Sequence, residues 1–166
     1  MGKFARLWRH LGSTEASAKR AFPQATLEAI GQAISMGEQN HRGELRLIVE
    51  RALPFEAIWA GIDNRQRAKA LFAQYGVWDT EENCGVLIYI NLADRKVDIV
   101  ADRHIDRKIG AATWQTICDT MTQGYAGGQF HDSTLAAVAA VNACLQQHFP
   151  ANGARANELP DQPIVL

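Results

Sequence analysis

The 26 residues from Trp78 to Arg103 constrain this chain most. They read as a polar loop, a wholly apolar strand (Val86 to Asn91), a short turn and a return strand (Lys96 to Asp102). A hairpin brings its two open ends together. With the turn centred near Asp94, residues whose numbers sum to about 188 face one another across the ladder. Val86 then lies opposite Asp102, and Asn83 and Arg103 fall at the same open end. A polar loop and an acidic strand end meet at one rim of a sheet, and that rim is where chemistry is expected.

The rest of the chain supplies a partner strand and cover. Phe22-Pro23 marks a boundary, because proline is tolerated only in a first helical turn. Leu27, Ile30, Ala33 and Ile34 then repeat at helical spacing between Gln24 and Asn40. Glu44 to Leu53 alternates as a strand, with Leu45, Leu47 and Val49 on one face and a polar second face expected to be partly open to solvent. Asp63 or Asn64 caps the next helix, Ala68, Leu71, Phe72 and Tyr75 form its buried stripe, and Gly76 ends it. The strand at Val86 is apolar on both faces and therefore central. A strand, a helix and a central strand imply a parallel right-handed crossover. Two further helices follow, near 111–122 and 133–149. The expected class is α/β: a three-layer α/β/α sandwich over a small mixed sheet, parallel between the first two strands and antiparallel in the hairpin.

With 166 residues, the chain is long enough for one domain with a real core. A net charge of −1 provides no global attraction to nucleic acid, and no window reaches the length of a membrane span. Cys84, Cys118 and Cys144 form no C-x-x-C pair, which reads as reduced thiols. Met1 to His10 has no signal-peptide core, so a cytoplasmic location is expected. Residues 1–20 read as a basic amphipathic arm and linker, 21–150 as the domain, and 151–166 as a disordered tail. In the arm, Phe4, Leu7, Trp8 and Leu11 share one helical face, with Lys3, Arg6, Arg9 and His10 on or beside the other. Either this helix packs its apolar face on the domain, or it docks on a partner protein or membrane surface, which would make the protein peripheral at the inner membrane.

At the rim, Glu38, Glu44, Asn83 and Asp102 form a candidate ligand set for calcium or magnesium, since hard cations take oxygen ligands. His41, Asp79, Thr80 and Arg103 belong to the same rim. A metal there could also position a phosphate ester. The competing reading is a solvated acidic cluster neutralised by Arg42, Arg46 or Arg103. Thr80 reads first as a cap. Cys84 with His41 or His104 would be a nucleophile only if the pair were in contact, and packing is the simpler reading. No H-x-x-x-H spacing occurs, and Gly127-Gly128 lacks the setting of a phosphate loop. Trp59, Trp78 and Trp114 read as core or core-edge aromatics, and Arg65, Arg67 and Lys69 as a solvated helix face.

Asn83-Cys84-Gly85-Val86-Leu87-Ile88, followed by Asp94-Arg95-Lys96-Val97 and Ala101-Asp102-Arg103, resembles the TPM domain family. Gly43-Glu44-Leu45 and the late Gly-Gln-Phe before the last helix fit the same series, so the match runs from about residue 24 to about residue 149. The resemblance implies an α/β/α sandwich and, for some members, a metal-bearing acidic site with weak phosphatase activity. Other members act as accessory modules in membrane-associated assemblies. Two functions are therefore expected: an interaction module, and, as the alternative, a metal-dependent phosphatase.

Overall fold

The hairpin forms, one residue away from the expected register. Strand β2 (Gly85–Asn91) pairs antiparallel with β3 (Lys96–Ala101), and Val86 faces Ala101 rather than Asp102. A one-residue shift moves every side chain to the opposite face, so the apolar pattern decides. In the observed register Ile88 faces Ile99 and Ile90 faces Val97, all in one apolar cluster. The turn supports it: the Asp94 amide donates to Asn91 Oδ1 at 3.0 Å, and Arg95 takes the left-handed conformation at φ 52°.

The computed structural model describes residues 3–153 and 156–166. Helices α1 (Lys3–Gly12), α2 (Glu15–Ala21) and α3 (Gln24–Glu38) precede β1 (Glu44–Glu50). The crossover from β1 to β2 contains a short helix, α4 (Phe55–Trp59), and α5 (Asn64–Gln74). After β3 come α6 (Arg103–Ile109), α7 (Ala111–Ala126), α8 (Phe130–His148) and a last strand, β4 (Ile164–Val165). The mixed sheet runs β3-β2-β1-β4, with β1 parallel to both its neighbours. Glu44 pairs with Gly85, so the two central strands start level as expected.

Local chemistry explains the element ends. Asp63 and Gln66 form a reciprocal capping box on α5, and Gly76 follows that helix in the left-handed conformation at φ 63°. Thr14 caps α2 through Ser17, in the stretch read as a linker or a continuing helix. One face of the sheet packs Leu45, Leu47, Val86 and Ile88 against α3, α7 and α8. The other packs Ile48, Leu87 and Tyr89 against Ala68 and Leu71 of α5.

Three expectations are corrected. The second face of β1 is not open to solvent: all seven residues are buried. Glu50, only 2 % exposed, is held there by Arg67 at 2.5 Å and by the Tyr89 hydroxyl at 2.6 Å, so Arg67 is not a solvated helix residue. A buried carboxylate needs such a cation and donor. The tail is not disordered over residues 156–166. Leu159 enters the core, β4 adds to the free edge of β1, and buried Arg46 donates to the carbonyls of Pro160 and Gln162. Satisfying an edge strand and a buried guanidinium outweighs the polar composition of this segment. Third, Trp114 is a core residue, but Trp59 and Trp78 are 60 % and 51 % exposed.

Candidate functional site

Two features of the surface are candidates for a site. The first is the rim where β1 and β2 begin. Glu38 closes α3, and its Oε1 accepts the Leu45 amide at 2.7 Å. Glu44, 5 % exposed, accepts the Leu159 amide at 3.2 Å through Oε2. Glu38, His41 and Glu44 line a cavity of about 360 Å³ with Asn157 and Asp161 from the tail. Burial pushes the Glu38 carboxyl up to about 8, against the Leu45 hydrogen bond and with help from Glu44 and Asp161. A carboxyl raised that far keeps its proton at neutral pH, beside Asp161.

His41 is structural. The Gly43 amide donates to Nδ1 at 3.2 Å, which leaves the proton on Nε2 to donate to Asn142 Oδ1 at 3.0 Å. Burial lowers its pKa and keeps it neutral. Asn142 in turn donates to the Ala33 carbonyl, so the ring ties the loop after α3 to α8. Gly37 makes room for this: a Cβ there would lie 2.0 Å from Asn142.

The remaining rim residues sit apart from the cavity lining. Asp102 stands at the N-cap position of α6 without a side-chain capping bond, and its Oδ2 accepts the Gly85 amide at 2.8 Å instead. Burial raises its pKa against that bond. Asn83 is exposed and left-handed at φ 52°, in a turn closed by its amide on the Thr80 carbonyl. Thr80 behaves as the cap expected, accepting the Cys84 amide at 2.9 Å. Asp79 and Arg103 are exposed. Arg42 pairs with Glu82 at 2.6 Å. The rim thus splits into two groups: Glu38, His41 and Glu44 at the cavity, Asn83 and Asp102 on the far side of Gly85. Among the described residues, no three His, Cys, Asp or Glu side chains are grouped as a metal ion would require. The Cys84 thiol donates to the Arg42 carbonyl at 2.6 Å, and both nitrogens of His41 are otherwise engaged. Cys84 and His41 do not form a nucleophile–base pair there, and the buried Cys84 fits the simpler packing reading.

The second feature is the N-terminal helix, which packs on the domain, with Leu7 beside Ile58 of α4. Its polar side faces the domain. Arg6 and Arg9 reach Asp94 at 2.6 and 2.8 Å, and His10 Nε2 lies 3.2 Å from the same carboxylate. The Leu53 amide donates to His10 Nδ1 at 2.9 Å, and burial keeps that ring neutral by lowering its pKa. Arg6 also donates to the Ile62 carbonyl at 2.7 Å. Burial would raise the Asp94 pKa, but Arg6 and His10 outweigh it and hold the group below its ordinary value. Phe4, Trp8 and Leu11 are left outside, 72 %, 72 % and 66 % exposed. Phe55 and Trp59 of α4 stack at 6.0 Å beside them and are also exposed. Sequence reasoning missed Asp94 as an anchor. The available signal was one acid in a turn and four bases in residues 3–12, a stretch without any acid.

The family model described as the TPM domain matches residues 18–144. The chain belongs to the TPM domain family. A solved structure, the NMR structure of the BA42 protein from the psychrophilic bacterium Bizionia argentinensis, is similar to this TPM protein at 25 % identity and a TM-score of 0.74. The similarity covers 85 % of this chain and 92 % of that one. No curated protein matches it. The family model begins after α1, so the clamped helix lies outside the matched residues. Among the described residues, no helix is long and apolar enough to cross a membrane.

Proposed function

We propose that this TPM protein is an accessory module that attaches to another cellular component through the face made by α1 and α4. One observation carries the reading: α1 is fixed by its cationic side to Asp94 while Phe4, Trp8 and Leu11 remain exposed. Apolar side chains grouped on an ordered surface commonly mark an interaction site. The test is photo-crosslinking in cells with benzoylphenylalanine at position 8, and at exposed position 115 as control. The module reading expects an adduct, to protein or to lipid, from position 8 only. No adduct, or the same pattern from both positions, would contradict it.

A divalent cation is the second reading, supported by Glu38, Glu44 and Asp161 facing one cavity and by the raised Glu38 pKa. A cation entering there would displace the Glu38 proton, so its affinity would rise with pH up to about 8. Asn83 and Asp102 would belong to it only if the rim rearranged. A calcium titration with proton release measured in weak buffer tests this: release near neutral pH supports it, and no release at millimolar ion counts against it. Phosphate-ester hydrolysis would need a nucleophile and a base beside that cation, and Cys84 with His41 does not supply them.

A further inference from the structure

This inference rests on the module reading and names its partner. We propose that the α1–α4 face docks on an anionic phospholipid surface. The exposed apolar groups are mainly aromatic: Phe4, Trp8, Phe55 and Trp59. Such rings favour the boundary between headgroups and acyl chains, and a helix with this distribution lies in that plane. Phe4 of α1 and Phe55 and Trp59 of α4 line the same depression, and Trp8 follows Phe4 one helical turn on.

The charge beside this surface is complementary to phosphate. Residues 3–12 contain no acid, and α4 contributes one, Glu56. Next to α1 lies a cavity of about 460 Å³, lined by Arg9, Gly12, Ser13, Leu92, Ala93 and Arg95. Asp94 is already engaged by Arg6, so the shared Arg9 leaves surplus positive charge at the cavity wall, and exposed Arg95 adds to it. Aromatic side chains for the apolar layer, with Arg9 on the same helix and Arg95 across the neighbouring cavity, match a lipid with an anionic headgroup. The helix is also held in place before contact. His10 accepts the Leu53 amide and Arg6 spans Asp94 and the Ile62 carbonyl, so little ordering is left to be done on binding.

The full-length protein is mixed with phosphatidylcholine vesicles, with or without phosphatidylglycerol, and binding is read by co-sedimentation and tryptophan emission. Binding is expected on the phosphatidylglycerol vesicles, with a blue shift and a several-fold loss at high salt. Trp8→Ser with Trp59→Ser should abolish it, and Arg95→Ala should weaken it about fivefold. All three positions are exposed, and an unchanged melting temperature verifies that each variant is folded. No sedimentation, equal sedimentation on phosphatidylcholine alone, or binding unaffected by the double substitution would overturn the proposal. A protein adduct at position 8 without vesicle binding would overturn the lipid assignment and leave the module reading standing. Failure of both measurements would remove both.

Discussion

Asp94 and Arg6, 88 residues apart in sequence, join the hairpin turn to the N-terminal helix. Arg6 Nε and Nη2 donate to Asp94 Oδ2 at 2.8 and 2.6 Å, and the Asp94 side chain is only 5 % exposed. Removing one partner of a buried pair strands the other, at a cost of about 3–5 kcal/mol. Asp94→Asn should therefore release α1 while the sheet stays folded. Hydrogen exchange in residues 3–12 should rise by at least about tenfold, and the Leu53 amide should lose protection with it. Unchanged protection of Leu53 would show that Asp94 does not hold the arm.

Glu38 makes stability depend on pH in an unusual direction. Its folded pKa is raised from 4.5 to about 8, so between these values the native state holds a proton that the unfolded chain has lost. Stability from this group is complete below about 4.5 and declines as pH rises towards 8, at up to about 1.4 kcal/mol per pH unit. Glu38→Gln keeps an acceptor for the Leu45 amide and removes the titration. Urea midpoints of the variant should be flatter across that window and higher than wild type at alkaline pH.

Gly85 tests the register at which the central strands begin. A Cβ there would lie 1.8 Å from the Val77 backbone carbonyl, which no side-chain rotation can relieve. Gly85→Ala should destabilise the fold by at least about 1–3 kcal/mol, read as a lower melting temperature. It should also disturb the Gly85–Asp102 hydrogen bond, visible in the amide shift of residue 85.

Much of this fold was legible because apolar periodicity records burial directly. Leu45, Leu47 and Val49 alternate, Val86 to Ile90 is continuous, and the Asp63 cap and Gly76 stop are local chemistry. Less legible were features decided by partners distant in sequence. Arg67 looked solvated because its partner, Glu50, lies across a crossover. The tail looked disordered because its docking uses backbone carbonyls, which leave no compositional trace, on Arg46. The candidate rim was half visible. Glu38 and Glu44 do share a cavity, while Asp102 is committed to Gly85 because the hairpin register ends one residue earlier than expected.

The tail makes its own prediction. The Arg51 amide donates to the Leu166 carbonyl at 3.0 Å, the Leu166 amide donates to Val49, and Arg46 is satisfied by two tail carbonyls. Truncation after Leu159 leaves the β1 edge open and a buried guanidinium unpaired. Stability should fall by a few kcal/mol, on the order expected for stranding a charged group. The truncated chain should also self-associate through that edge, measurable by light scattering.

The account depends most on α1 lying with its cationic side inward and its rings outward. Hydroxyl-radical footprinting of the four tryptophans reads this directly. Trp8 and Trp59, 72 % and 60 % exposed, should be modified readily, and Trp114, 4 % exposed, should be protected. If Trp8 were protected to the same degree as Trp114, the helix would pack its apolar face on the domain, and the docking face described here would not exist.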